Sequence, residues 1–413
     1  MKKLLYNPAQ ILTIDTAGKN LKKGKEQSNA GLLENTSIEI ENGIIKGFVK
    51  SANAKKEKYD EVIDLSGKVV TPGLVECHTH TVFAGSRADE FRMKLEGTDY
   101  EEIAKKGGGI ISTVKAVRES SFDELVEIVK PRIDYFIAQG ITTLEIKSGY
   151  GLSFYDEIKL LQVIQHLNKI YPIDIIATFL GAHTYPPEYK KDRKKYIEII
   201  TEEMIPYVTE NNLAEFCDAF CESTAFSAEE VDTIFKAAKK HKIKLKLHTE
   251  QFNNIGGLET AINNKAVSVD HLEVLKEEQI NSLKKVKTIS VLLPGVSFFL
   301  NYDYAPARKL IENNIPIALA TDYNPGSSHI ANLNFIMSLA ALKMKLSIEE
   351  VISSVTINSA AALSREKEIG SLEIGKKADF AVFDTNNYAD IVYQVGKNIC
   401  GMTIKDGEII YKN

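Results

Sequence analysis

His78-Thr79-His80 closes an apolar run, Val69-Val70-Thr71-Pro72-Gly73-Leu74-Val75-Glu76-Cys77. Two histidines at i and i+2 on a β-strand face the same side, so both imidazoles can reach one ion. Three further candidates each close an apolar run of their own. They are His248 after Lys244-Leu245-Lys246-Leu247, His271 after Val267-Ser268-Val269-Asp270, and Asp322 after Ile317-Ala318-Leu319-Ala320-Thr321. Nitrogen and carboxylate donors delivered from the ends of separate strands make the donor set of a catalytic metal site in a barrel. A Zn²⁺ or Fe ion held there would lower the pKa of bound water to about 7 and generate hydroxide at neutral pH. Asp322 reads as a ligand that also takes the proton of the attacking water. The competing reading, a helix cap or turn residue ahead of Asn324-Pro325-Gly326-Ser327-Ser328, ranks below it. His271 reads either as a fourth ligand or as a group polarising the scissile carbonyl, and the second role is favoured. His166 and His241 lie in lysine- or leucine-rich helical stretches and read as ordinary residues. The constellation points to a metal-dependent hydrolase.

Such donors need a scaffold that presents strand ends together. The middle of the chain alternates strand and helix signals eight times, the pattern of a closed parallel barrel. Strand candidates lie near 69–77, 141–147, 173–181, 214–221, 243–248, 266–270, 287–293 and 315–321. Ser121-Phe122-Asp123-Glu124 is a capping box ahead of Leu125, Ile128 and Val129, and Gly140 stands where a glycine would end that helix. Pro131 inside the pattern predicts a kink or an early stop. Both ends of the chain read differently. Ser37-Ile38-Glu39-Ile40-Glu41 alternates with period 2 into Asn42-Gly43, a hairpin signal, and Ala378–Asp384 and Thr403–Ile410 repeat the style. The expectation is an α/β protein: a (β/α)8 TIM-like barrel over 69–365, with a small β-sandwich domain formed by both termini, 1–68 and 366–413.

The bulk composition narrows the partners. With 413 residues, 44% hydrophobic and 26% charged, the chain suits one large barrel plus a small domain. A formal net charge of −5 argues against nucleic acid and against an anionic membrane surface. No apolar run approaches the roughly 18 residues of a membrane-spanning helix, and Met1–Pro8 has no signal-peptide core. Cys77, Cys217, Cys221 and Cys400 have neither disulfide nor zinc-knuckle spacing, which suggests reduced core thiols in the cytoplasm. Gly107-Gly108-Gly109 lacks the lysine and the strand–loop–helix setting of a phosphate cradle and reads as a loop over the site's mouth. Gly-x-Ser-x-Gly is absent around the plausible serines.

Several segments carry a family resemblance: His78–Arg87 (HTHTVFAGSR), Gly107–Ile110, Ser148-Gly149-Tyr150-Gly151, Thr178–His183 (TFLGAH), His248-Thr249-Glu250-Gln251 and Ala320–Ser327. In this order they resemble the amidohydrolase superfamily, and within it the imidazolonepropionase family. The resemblance implies hydrolysis of the cyclic C–N bond of 4-imidazolone-5-propanoate to N-formimino-L-glutamate in histidine catabolism. It implies metal ligands at His78, His80, His248 and Asp322, one Zn²⁺ or Fe ion per subunit, and a homodimer. Substrate contacts would fall on Arg87, Tyr150, His183, Gln251, Asn324, Gly326 and Ser327, with Tyr100 also a candidate. A propanoate tail suits the bidentate fork of Arg87.

Two departures bear on the subclass. Deaminases on this barrel usually carry a glutamate three residues after the strand-5 histidine. Here that position is Gln251, which orients by hydrogen bonds but cannot act as a general acid. That disfavours the alternatives, a heterocycle deaminase or a formimino-glutamate deiminase, and leaves proton delivery to Asp322, His271 or water. The end of candidate strand 4, Phe216–Glu222, has no lysine to bridge two metals, so one ion is expected, and Lys147 reads as an ion-pair partner. A non-catalytic relative serving as a scaffold is disfavoured because every expected ligand is present.

Overall fold

The computed structural model describes residues 1–97 and 108–413. Short alternating segments give the first seven strands: β1 (Lys2–Tyr6), β2 (Gln10–Leu12), β3 (Leu32–Leu33), β4 (Thr36–Glu41), β5 (Ile44–Lys50), β6 (Glu61–Asp64) and β7 (Val69–Pro72). Asn42 and Gly43 join β4 to β5 with φ of 51° and 76°, the doubly positive pair of a type I′ hairpin. Eight strands follow in the middle of the chain: β8 (Leu74–Glu76), β9 (Ile141–Lys147), β10 (Asp174–Ala182), β11 (Phe216–Cys221), β12 (Lys244–Thr249), β13 (Ser268–His271), β14 (Ile289–Leu292) and β15 (Ile317–Leu319). The C-terminal segment adds β16 (Phe380–Phe383), β17 (Cys400–Lys405) and β18 (Glu408–Lys412).

Strands β8 to β15 form one sheet in sequence order with every neighbouring pair parallel. A parallel bridge between Thr79 and Tyr323 joins its two edges. The His80 amide donates to the Tyr323 carbonyl at 2.9 Å and the Asp322 amide to that of His78 at 3.1 Å. The seam of the barrel is therefore sewn by the segments that carry three of the candidate ligands. Just below, the buried Glu76 carboxylate accepts from the amides of His78 (3.1 Å) and Thr321 (3.0 Å) and spans the seam again.

The termini build two sheets, ordered β5-β4-β1-β6 and β18-β17-β16-β7-β2-β3. Leu5, Ile38 and Ile40 of the first share a buried cluster with Val70, Phe380, Val382 and Ile404 of the second, so the two pack as a sandwich. The expected single strand 69–77 is corrected here. It divides at Gly73, with β7 pairing β16 in the sandwich and β8 pairing β9 in the barrel. The small domain thus takes in Val69–Pro72, beyond the expected edge at residue 68. A Cβ on Gly73 would lie 2.2 Å from Thr142 Oγ1, so only glycine lets the chain pass from one sheet to the other.

The predicted capping box is present, with Ser121 Oγ accepting from the Glu124 amide at the head of the helix Phe122–Ile137. That helix runs through Pro131 rather than stopping there. Pro131 and Glu127, whose carbonyl loses its partner, both sit on the exposed face, so the freed carbonyl is open to solvent. Residues 17–35 lie against the barrel's other end, where the buried Gln27 accepts from the Ile317 amide and its carbonyl from Ser353. All four cysteines are buried and unpaired. No helix among the described residues is long and apolar enough to cross a membrane.

Candidate metal centre

His78, His80 and His248 converge at the C-terminal mouth of the barrel, one ligand atom of each lying within 4.8 Å of the others. Asp322 Oδ1 joins them, 3.4 Å from His78 Nε2 and 3.3 Å from His80 Nε2. His248 Nε2 and His80 Nε2 are 3.4 Å apart. All four residues are buried. Two of the converging atoms, His78 Nε2 and Asp322 Oδ1, have no hydrogen-bond partner among the described residues. Buried polar atoms without partners are costly, and a cation between them satisfies both. The residues present therefore fit a metal ion.

Two of the three imidazoles are tied at the back to a carboxylate, while His80 Nδ1 has no partner among the described residues. His78 Nδ1 meets Asp270 Oδ2 at 2.6 Å and His248 Nδ1 meets Asp218 Oδ1 at 3.1 Å. An acceptor there holds the proton on Nδ1 and leaves Nε2 bare toward the ion. Burial and the Lys147 ammonium push the His78 pKa down. The Asp270 and Asp322 carboxylates outweigh them and raise it to about 9. Burial lowers His80, and with help from the nearby His78 and Lys147 holds His248 at about 3. Burial works against the Asp322 charge, yet the two imidazoles hold it well below the usual carboxylate range.

Beneath the ligands lies a layer of buried charge. Lys147 Nζ reaches Glu145 at 2.7 Å, Asp218 at 2.9 Å and Asp270 at 3.9 Å, while Lys246 Nζ reaches Glu145 at 3.1 Å and the Cys77 carbonyl at 2.9 Å. Three carboxylates against two ammoniums leave one negative charge, and Asp322 adds a second. That field complements a divalent cation. Sequence reading anticipated Lys147 as an ion-pair partner but missed its partners. The available signal was spacing: Glu145/Lys147 and Lys246/His248 repeat the i, i+2 pattern of His78/His80 inside otherwise apolar strands.

His271 stands beside the cluster, its ring centroid 6.0 Å from that of His78 and 5.5 Å from that of His248. His183 stacks on His80 with centroids 5.2 Å apart, and its Nδ1 contacts the Gly149 carbonyl at 2.9 Å, which leaves Nε2 free. Burial and the neighbouring His80 and His248 hold His183 neutral, well below the usual imidazole range. Tyr150 lies 5.3 Å from His183, its hydroxyl made less acidic by burial and by Asp322. Arg87 Nε pairs with Glu90 at 2.8 Å, and its Nη1 lies so close to Gly326 that a Cβ there would sit 2.2 Å away. The loops after β8 and β15 therefore meet over the site. Gln251 is buried, and its amide bonds to no described residue. Glu250 turns away with φ of 51° and accepts from the Leu258 amide. The Asn324 amide is spent within its own loop: it accepts from the Gly326 and Ser327 amides at 2.8 Å and donates to the Asp322 carbonyl at 2.7 Å. Ser327 Oγ bonds Asn324 as well. Tyr100 and Gly107 lie outside the described residues.

A family model described as "Amidohydrolase family" matches residues 101–411. The imidazolonepropionase of Alkaliphilus oremlandii is 44% identical over 410 residues, covering 98% of this chain and 97% of that protein. That of Thermoanaerobacter pseudethanolicus is 46% identical over 402 residues, covering 97% and 96%. Among solved structures, an atrazine chlorohydrolase from Arthrobacter aurescens complexed with zinc superposes with a TM-score of 0.73 at 15% identity, covering 100% of this chain and 95% of that one. An adenosine deaminase from Xanthomonas campestris with bound zinc gives 0.73 at 16% identity, covering 98% and 92%. At such identities these two speak for the fold alone.

Proposed function

The chain belongs to the amidohydrolase family and, within it, to the imidazolonepropionases, and from that membership we propose how its own residues carry the reaction. It is a hydrolase of histidine catabolism, opening 4-imidazolone-5-propanoate to N-formimino-L-glutamate. The observation that carries the mechanistic reading is the pair of orphaned atoms, His78 Nε2 and Asp322 Oδ1, facing one another among three converging imidazoles.

His78, His80, His248 and Asp322 would hold one ion, zinc or iron, since imidazole and carboxylate suit both. When bound, it supplies Lewis-acid polarisation and acidifies water. Asp322, ionised at neutral pH, accepts the proton of the water that attacks the ring carbonyl. The same carboxyl group then returns it to the nitrogen leaving the broken C–N bond, a task Gln251 cannot perform. Water adds across one bond and no other product forms. His271 lies next to the ligand set yet outside the three-histidine cluster, which suits polarisation of the carbonyl oxygen rather than ligation.

Arg87 takes the propanoate through its free guanidinium edge, with Gly326 leaving room for it. Tyr150 and His183 add hydrogen bonds at the mouth, and Gln251 orients the ring. Asn324 and Ser327 serve by shaping the loop that carries Asp322 and Gly326. Buried reduced thiols accord with a cytoplasmic enzyme.

The test is product analysis on the purified protein. Loss of the 4-imidazolone-5-propanoate absorbance should yield one equivalent of N-formimino-L-glutamate and no ammonia, and an Asp322→Asn variant should be inactive. Ammonia release in step with turnover would contradict the reading.

A further inference from the structure

We propose that Glu273 is a positioning residue that takes the Nδ1 proton of His271 and thereby aims its Nε2 at the substrate. The inference rests on the reading of His271 as the group that acts on the ring carbonyl.

The Glu273 side chain is 4% exposed, and neither carboxylate oxygen has a hydrogen-bond partner among the described residues. A buried carboxyl group without partners carries a desolvation cost that none of the described residues offsets by a hydrogen bond. His271 Nδ1 is a second buried orphan, and it lies 3.6 Å from Glu273 Oε1. That separation exceeds a hydrogen bond. Catalytic pairs are often loose in the free enzyme and tighten with substrate bound.

The backbone brings the two orphans together. A strand should send Asp270 and His271 to opposite faces. Instead His271 has φ of 89° and Leu272 has φ of 72°, two successive left-handed residues, neither of them glycine. This places Asp270 on the back of His78, His271 beside the metal ligands, and Glu273 behind His271. Such strain persists where the surroundings impose it and clusters at active sites. A carboxylate on Nδ1 fixes the ring's orientation. It also offsets the positive charge present when Nε2 carries a proton for the carbonyl oxygen.

The experiment compares Glu273→Gln, His271→Asn and the double variant in kcat, KM, metal content and Tm, with ¹⁵N NMR of His271 in the unmodified protein. Glu273→Gln is expected to lower kcat about tenfold or more. KM and metal content should hold, and Tm should hold or rise, because the free protein gives this carboxyl group no hydrogen bond to lose among the described residues. The double variant should be no slower than His271→Asn, and NMR should find a proton on Nδ1. Unchanged kcat in Glu273→Gln while His271→Asn is crippled would overturn the positioning role and leave that of His271 standing. Full turnover in His271→Asn would overturn the His271 reading itself. A fall in Tm that accounts for the lost activity, or a neutral ring protonated only on Nε2, would also overturn the proposal.

Discussion

At the scale of single residues, a metal ion held by His78 would have its uptake coupled to pH. The Asp270 and Asp322 partners of His78 raise its pKa from 6.5 to about 9 in the metal-free chain, while His248 stays near 3 and Asp322 is ionised. A raised pKa adds stability that is complete below about 6.5 and lost as pH rises through about 9. The ion must displace that proton, so its apparent affinity should tighten across the same window with about one proton released per ion. A dissociation constant flat from pH 6.5 to 9, measured by chelator competition, would contradict this. Lys147 answers for the layer below. Replacing it with Met leaves Glu145, Asp218 and Asp270 with Lys246 as the one ammonium left in that layer among the described residues. The metal-free protein should lose about 3–5 kcal/mol of stability by denaturant unfolding. The candidate ligands stood out in the sequence because each closes a strand-like run. Asp270 stands in one of those runs and Asp218 in the fourth barrel strand, but nothing in one dimension shows which imidazole each one backs. Glu273 was hidden more deeply, since its burial follows from the reversed backbone at His271 and Leu272.

At the scale of elements, the loops after β8 and β15 act as one unit. Their contact is Arg87 against Gly326, and the Asn324 amide holds the second loop closed on itself. Gly326→Ala would place a Cβ 2.2 Å from Arg87 Nη1 and force the guanidinium aside. KM for the propanoate-bearing substrate should rise about 10- to 100-fold, the loss of a charge-assisted hydrogen bond, with kcat changed far less. Equal KM in variant and parent would sink the assignment of Arg87 to the substrate tail. The strands and the capping box of Ser121 could be read from periodicity and side-chain chemistry. The division at Gly73 could not, because the run 69–77 is apolar throughout and the change of partner from β16 to β9 depends on tertiary pairing. The early stop offered as one outcome at Pro131 fails for a related reason: whether a proline stops a helix depends on whether its side of the helix faces water.

At the scale of the whole molecule, eight strand–helix alternations and two hairpin-rich ends sufficed to expect the barrel and the sandwich. What they could not supply is how the barrel closes. Its seam runs through Thr79 and Tyr323, with Glu76 spanning it from below, so the ends of β8 and β15 are held in register by the segments that carry His78, His80 and Asp322. Closing the seam therefore also brings His78, His80 and Asp322 together, and β12 adds His248. An ion binding only the assembled set should therefore stabilise the whole molecule. The most direct measurement of the central claim is turnover of 4-imidazolone-5-propanoate in metal-stripped protein, titrated with zinc or iron, with Tm followed on the same samples. The account predicts negligible turnover before addition, then a linear rise in turnover that breaks at one ion per chain, with a higher Tm in the loaded protein than in the stripped one. Full turnover in the stripped protein, or a break at two ions, would contradict it.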